Sequence, residues 1–213
     1  MRFGSLLLSV LLTGCATGSI PLARYHEDGR AKPIVAVASV IDATSSEFPW
    51  SLSEELTDSI VHKVSEKGVL YVNSPDGIAL ADNPFGSDLS WVKREFADQE
   101  FAVFLELVEH ETVPANMSRK QAANLSPQEV STNLNMAVRL RVLDLRGDEP
   151  RIVLQEMVRE SYYTPKSLLR PNYAISGWGT QEYASTPMGI AHGQLVQEVS
   201  TRLNDYILLA KSR

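Results

Sequence analysis

The sequence has 213 residues, of which 44% are hydrophobic and 22% charged, and 26 acidic residues against 20 basic ones give a formal net charge of −6. This length suits one domain with a sizeable core, and the acidic balance argues against nucleic acid as a main partner. Cys15 is the single cysteine, so the chain cannot form an internal disulfide.

The first segment has the layout of an export signal. Arg2 supplies a positive charge, and the run from Phe3 to Leu12 is mostly apolar. About ten residues of helix cover roughly 15 Å, half of a ~30 Å hydrocarbon core, so a permanent transmembrane helix is not expected. Residues 1–14 are therefore predicted to be a signal peptide.

The residues that follow, Leu12 to Cys15, resemble the bacterial lipobox, in which an aliphatic and two small residues precede a cysteine that is lipidated. Only a thiol can form the thioether to diacylglycerol, so Cys15 is the predicted lipidation site. The alternative is a plain secretory signal with an incidental cysteine or a buried free thiol. Two or three acyl chains give a stable membrane anchor. Without an aspartate after Cys15, the Gram-negative sorting pattern implies the outer membrane, with the protein facing the periplasm.

Residues 15–33 are predicted to be the lipidated cysteine and a tether, and residues 34–213 a single globular domain. The run from Ile34 to Ile41 is continuously apolar, which is typical of a strand covered on both faces. The loop after it leads to a predicted helix. Ser51 and Glu54 stand in the relation of a capping box at the start of that helix.

Gly68 is predicted to end this helix, and Val69 to Ser74 to form the next strand. A strand, helix and strand of this length imply a right-handed parallel crossover. A short helix with Trp91 and Phe96 facing inward is expected next, followed by a strand that begins at Phe101.

An antiparallel hairpin is predicted from Asn133 to Tyr163. Its first strand alternates strictly, with Arg139 and Arg141 on the polar face. These arginines are expected to be solvated or paired with neighbours such as Glu156 and Glu160. The apolar face carries the even-numbered residues Leu134, Met136, Val138, Leu140 and Val142.

The chain closes with a long predicted helix that has Thr186 as its N-cap and Pro187 at its first position. Ile190, Leu195, Val199, Leu203 and Ile207 are expected on its buried side. The predicted fold is α/β (α+β). It has a mixed β-sheet of about five strands, one parallel strand-helix-strand crossover, an antiparallel hairpin and the long C-terminal helix.

This order of elements behind a lipobox resembles the small α/β domains of several envelope proteins. They are the amino-terminal domain of the Tol translocation protein, the curli secretion lipoprotein and the activator lipoproteins of penicillin-binding proteins. The segments PWSLSEELTDSI, NPFGSDLSWVKREFADQEF and FLELVEHE, all within Pro49 to Glu111, resemble an uncharacterised lipoprotein family of chlamydiae and their environmental relatives. That family brings no catalytic residues, so the resemblance implies localisation and fold.

No pattern typical of a catalytic, cofactor-binding or metal site is found, and an enzyme is not expected. No two histidines have the spacing of a metal site. His62, four residues after Asp58, is read as a partly exposed helix residue. A metal site at His110 is not expected, because Glu109 and Glu111 point to the opposite face of a strand. His192 is read as a surface or packing residue.

Two aromatic groups are candidate contacts for a partner. Phe48 and Trp50 follow the first strand, at the sheet edge where open α/β sheets place ligands, or else they staple the helix start against the core. Tyr173, Trp178 and Tyr183 lie in a loop without clear period and are of types favoured in interfaces, or else this loop folds down over the sheet.

The predicted function is that of an envelope lipoprotein that is anchored to the membrane through Cys15 and binds another envelope protein in assembly or regulation. One alternative is an envelope hydrolase acting on peptidoglycan or lipid. Another is an oligomeric secretion component, although Arg139 and Glu156 make lipid exposure of the hairpin unfavourable.

Overall fold

The structure is a computed structural model that describes residues 24–73, 80–115, 130–165 and 171–213. The predicted signal peptide, Cys15 and the first part of the tether lie outside the described residues. None of the helices within the described ranges combines the length and the apolarity that a membrane span requires.

Strands and helices alternate in the first half of the domain, and long strands dominate the second half. The strands are β1 (Ile34–Val37), β2 (Ile41–Asp42), β3 (Tyr71–Val72), β4 (Phe101–Pro114), β5 (Thr132–Asp144) and β6 (Arg151–Thr164). The helices are α1 (Leu52–Glu66), α2 (Ser90–Glu95) and α3 (Pro187–Lys211), and a 3-10 turn covers Tyr183–Ser185.

These strands form one mixed sheet in the order β3-β1-β4-β5-β6, with β2 paired to β4 beyond the end of β1. The pairs of β1 with β3, β1 with β4 and β2 with β4 are parallel. The pairs of β4 with β5 and β5 with β6 are antiparallel. The predicted α+β class, parallel crossover and antiparallel hairpin are therefore confirmed.

The predicted continuous strand from Ile34 to Ile41 is wrong, because the structure divides it into β1 and β2. Between β1 and β2, side chains of helix α1 form hydrogen bonds with the backbone N–H and carbonyl of Val40. Thr57 Oγ1 accepts from the Val40 N–H at 2.8 Å, and Ser53 Oγ donates to the Val40 carbonyl at 2.5 Å. The sequence pattern missed this break because Val40 is itself buried.

The helix ends follow their local sequence signals. Ser51 Oγ accepts from the Glu54 N–H at 3.2 Å at the start of α1, and Gly68 has φ 63° just beyond its end. Thr186 Oγ1 accepts from the Gly189 N–H at 3.0 Å at the start of α3, where Pro187 is the first helical residue. Both predicted N-caps and the glycine stop are confirmed.

The two faces of the sheet are covered differently. Helices α1 and α3 cover one face, and their apolar side chains join those of the central strands in the larger core. Helix α2 covers part of the other face, where Trp91 and Phe96 pack against Phe104 as predicted.

The predicted inward position of Ile190 on α3 is wrong. Ile190 is 49% exposed, whereas Ala191 and Leu195 are buried. The buried stripe of α3 recurs every four residues and contains Ala191, Leu195, Val199, Leu203 and Ile207. Position 190 precedes this stripe by one residue, so its side chain is rotated about 100° away from it around the helix axis.

The expected environment of Arg141, solvated or paired with a neighbouring glutamate, is also wrong. Arg141 is only 5% exposed and donates to the carbonyl oxygens of Pro84, Phe85 and Gly86 at 2.8, 3.2 and 2.8 Å. Its Nε donates to Gln155 Oε1 at 2.8 Å. Arg141 thus holds the segment before α2 against the sheet.

Arg139 is paired with Glu106 on β4, where its Nε lies 2.7 Å from Glu106 Oε2. Its guanidinium carbon lies 4.2 Å from the centre of the Phe85 ring. Glu156 pairs with Arg202 of α3 at 3.0 Å. Arg139 is therefore paired with a neighbouring glutamate as expected, and this glutamate lies on β4 and not on β6.

Replacing Arg141 by methionine is expected to lower the free energy of unfolding by about 2–4 kcal/mol, because three carbonyl groups lose a charged donor. That loss corresponds to a fall of roughly 10 °C in a thermal melt. The matched variant Arg139→Met removes a more exposed ion pair and should cost about 1 kcal/mol or less. Equal melting temperatures for the two variants would contradict the structural role of Arg141.

Candidate functional site

A cluster of four buried polar side chains lies between the sheet and helices α1 and α3, toward the carboxyl ends of the parallel strands. Its members are Glu55, His110, Tyr183 and His192, which are 2%, 6%, 8% and 2% exposed. They come from α1, β4, the 3-10 turn and α3. We call them the polar cluster.

A bulge in β4 turns His110 toward the helices. Leu107 faces the larger core, so strict alternation would direct Glu109 to the same side. The register with β5 shifts between Leu107 and Glu109, which leaves Val108 as the extra residue. His110 then stands opposite Met136, a core residue, on the helix-covered face.

The carboxylate of Glu55 joins three segments of the chain. Its Oε1 accepts from His192 Nδ1 at 2.7 Å and from the Tyr183 hydroxyl at 2.6 Å. Its Oε2 accepts from Trp50 Nε1 at 2.7 Å. Three donors therefore stabilise the buried negative charge, which is the condition for burying a carboxylate without a large cost.

The two histidines contact each other through their outer nitrogens, with His110 Nε2 2.9 Å from His192 Nε2. Nδ1 of His192 lies 2.7 Å from Glu55 Oε1 and 2.8 Å from the Tyr183 hydroxyl. In the tautomer that carries its hydrogen on Nδ1, the neutral His192 ring donates to Glu55 and presents Nε2 as an acceptor, and the His110 Nε2–H is the matching donor. In this arrangement one hydrogen lies between the two rings.

The electrostatics agree with this assignment. Burial, with a smaller contribution from His192, lowers the pKa of His110 from 6.5 to about 4. Burial alone would raise the pKa of Glu55, but hydrogen bonds from His192, Tyr183 and Trp50 outweigh it and lower that pKa. Burial and the bond to Glu55 raise the pKa of Tyr183. At neutral pH, Glu55 is ionised, while His110 and Tyr183 are uncharged.

Three partly exposed aromatic rings cover the polar cluster, and we call Phe48, Trp50 and Tyr173 the aromatic cover. The Phe48 ring meets His110 edge-on at 5.0 Å and Trp50 at 5.5 Å. Trp50 in turn contacts Tyr183 at 5.5 Å and Tyr173 at 6.2 Å.

Gly177 allows the chain to pass close to this cover. A Cβ at this position would lie 2.5 Å from a carbon of the Trp50 ring. The segment 171–186 therefore packs onto Trp50 through a residue without a side chain, and a larger residue there would displace it.

The structure brings four of the five predicted contact residues together. Phe48, Trp50 and Tyr173 form the cover, and Tyr183 lies beneath it in the polar cluster. Trp178 is partly exposed on the same segment as Tyr173. Because Tyr183 is buried, a partner at this surface would meet the cover and Trp178 first.

Sequence reasoning treated His110 and His192 as isolated residues and did not single out Glu55. His110 and His192 are 82 positions apart in the sequence, and Glu55 and His192 are 137 positions apart, so no local pattern reveals their contacts. One signal was available: Glu55 lies three residues after Leu52 and next to Leu56, on the apolar side of α1.

A carboxylate that orients a histidine also occurs in nucleophilic catalysis. Here the outer nitrogen of His192 faces His110 and not a hydroxyl or thiol, and both rings are buried. Within the described parts of the chain, no group of three histidine, cysteine, aspartate or glutamate side chains is placed to bind a metal ion. The contacts of the polar cluster hold α1, β4, the 3-10 turn and α3 together.

A family model described as a family of unknown function (DUF7499) matches residues 22–211. A search of curated protein sequences finds no significant match.

Several solved structures are similar. The hypothetical protein CT253 from Chlamydia trachomatis has a TM-score of 0.68 and 24% identity, over 83% of this chain and 98% of that one. Protein XCC0632 from Xanthomonas campestris, of the DUF330 family, has a TM-score of 0.52 and 11% identity, over 86% and 90%. Lipoprotein GNA1162 from Neisseria meningitidis has a TM-score of 0.37 and 11% identity, over 81% and 99%. The first two share the fold, so the predicted chlamydial resemblance is confirmed at that level.

Proposed function

This chain belongs to the family of unknown function DUF7499, and we propose that it is a bacterial envelope lipoprotein whose α+β domain binds another envelope protein. In this proposal, acyl chains on Cys15 anchor the protein to the outer membrane and the domain faces the periplasm. Binding of the partner serves assembly or regulation.

The anchor would keep the domain close to the bilayer. Arg24, the first described residue, follows Cys15 by nine residues. A fully extended chain of that length spans at most about 30 Å. Strand β1 starts at this end of the domain, whereas the aromatic cover lies after β2, toward the other end of the sheet. The cover would thus point away from the anchoring membrane.

The aromatic cover is the observation that carries the binding proposal. Its rings are partly exposed, and a hydrogen bond from Trp50 to Glu55 fixes the central one. Aromatic residues are enriched among the residues that dominate binding energy, and a ring held rigid before binding loses little conformational entropy. Such a preorganised aromatic surface suits contact with a protein.

Replacing Trp178 and Tyr173 together by alanine is expected to weaken partner capture about thirtyfold or more, because each anchor contributes about 2 kcal/mol to binding. The melting temperature should change little, since both side chains are partly exposed. Crosslinking pull-down from the native envelope measures capture, and a thermal melt of the same variant measures stability.

Tyr25→Ala is the matched control. Tyr25 is 62% exposed and lies in the predicted tether, beside residues 67–69. This variant should capture the partner as the wild type does. Unchanged capture by the double variant, or a stability loss of several kcal/mol, would remove this surface from consideration.

A further inference from the structure

We propose that the paired histidines of the polar cluster form an acid-operated latch, in which uptake of a second proton releases the segment 171–186 and the aromatic cover. The proposal rests on the proposed function only in treating the cover as the binding surface. The release itself follows from the geometry of the polar cluster.

The contact between the rings accommodates a single proton. With 2.9 Å between the two Nε2 atoms, only one of them can carry a hydrogen, so a further proton on His110 places a positive charge on a buried ring with no negative partner in the contact. Water does not reach this charge in the closed state. Protonation of His110 therefore favours separation of the rings.

In the closed state, the groups around the rings do not stabilise a further proton on His110. Glu55 of α1 already accepts from three donors, including the hydroxyl of Tyr183. A hydrogen bond to its own backbone, Glu55 and Asp42 of β2 favour the charged form of His110, but burial and His192 outweigh them and lower its pKa. Tyr173, another titratable group of the segment 171–186, acts on Tyr183 in the direction that keeps the hydroxyl protonated.

The segment 171–186 is the part best able to move. Strands β4 and β5 are paired along their whole length, and α3 is buried along one side in the core. The segment has local turn bonds, such as Ile175 N–H to Asn172 and Thr180 N–H to Gly177. Near the cluster, the segment is attached by the Tyr183 hydroxyl, which lies 2.6 Å from Glu55 Oε1 and 2.8 Å from His192 Nδ1, and by the ring contacts of Trp50. Loss of those contacts frees the segment while the sheet stays paired.

The direction of the pH effect follows from linkage. The pKa of His110 is about 4 in the closed state, against an ordinary 6.5 once the ring is released. The released form therefore binds more protons between these values, and its population rises by up to tenfold for each unit that the pH falls. Between pH 6.5 and pH 4 the opening constant should increase about 80-fold, because each of the two pKa values lies at one end of this range. The pKa of Glu55 is also lowered in the closed state, from an ordinary 4.5. Below pH 4.5 the released form therefore binds more protons at Glu55 as well, which favours opening further.

Hydrogen exchange of the mature protein from pH 7 to pH 4, read by mass spectrometry and corrected for intrinsic exchange rates, measures the opening. We expect the protection of residues 171–186 to fall about 80-fold between pH 6.5 and 4. The amides of β4 and β5 should stay protected, and far-ultraviolet circular dichroism should not change.

His110→Gln should remove most of this pH dependence, because its amide can still donate to His192 and cannot take up a proton. His62→Gln makes the same change at an exposed position on α1 and should behave as the wild type. His192→Gln serves as a second test if His110→Gln does not fold. No partner is present in these measurements, so their outcome is independent of whether the cover binds a protein.

A segment whose protection does not change between pH 6.5 and 4 in the wild type would overturn the proposal. Simultaneous loss of protection in the segment and in β4 would also overturn it, because that pattern is global acid unfolding. An unchanged pH dependence in His110→Gln would assign the effect to another group.

Discussion

Replacing Glu55 by alanine is expected to lower the free energy of unfolding by about 3–5 kcal/mol, the range for breaking a buried charge network. The variant leaves the indole of Trp50, the hydroxyl of Tyr183 and Nδ1 of His192 buried without their shared acceptor. It also opens a cavity at a site that is 2% exposed. A thermal melt should show a fall of roughly 10 °C or more.

Glu54 provides the matched control, because it lies in the same first turn of α1 and is exposed. Glu54→Ala should cost less than about 1 kcal/mol, mainly through a weaker interaction with the helix dipole. Glu55→Gln, which keeps the size and one acceptor oxygen, should fall between the two. If both alanine variants melt at the same temperature, the polar cluster does not hold these segments together.

Replacing Cys15 by serine is expected to abolish lipid attachment, because a hydroxyl cannot replace the thiolate in thioether formation. The variant should leave the membrane fraction or accumulate as the precursor, since stable anchoring depends on two or more acyl chains. Metabolic labelling with a fatty-acid analogue, followed by fractionation, measures both effects.

Thr13→Ser keeps a small residue before the cysteine and should be labelled as the wild type is. Undiminished labelling of Cys15→Ser would contradict the lipoprotein proposal, and it would leave the acid-operated latch untouched. The two proposals can therefore fail separately.

The sequence by itself determined the elements whose causes are local. Ser51 and Thr186 cap their helices because each side chain needs only an N–H three residues later. The alternation in β5 and the short turn before β6 were enough to predict the hairpin, because both strands lie close in sequence. Hydrophobic periodicity likewise identified most of the buried side of α3.

Only the tertiary structure decided where the polar groups go. A bulge at Val108 reverses the faces of His110 and Glu109, and alternation alone does not show it. Arg141, on the polar face of a strand, is buried because the segment 84–86 brings carbonyl groups to it. A charge can be buried only where partners satisfy it, and those partners come from remote segments. The polar cluster exists because the fold brings Glu55 and His192, which are 137 residues apart, within 2.7 Å.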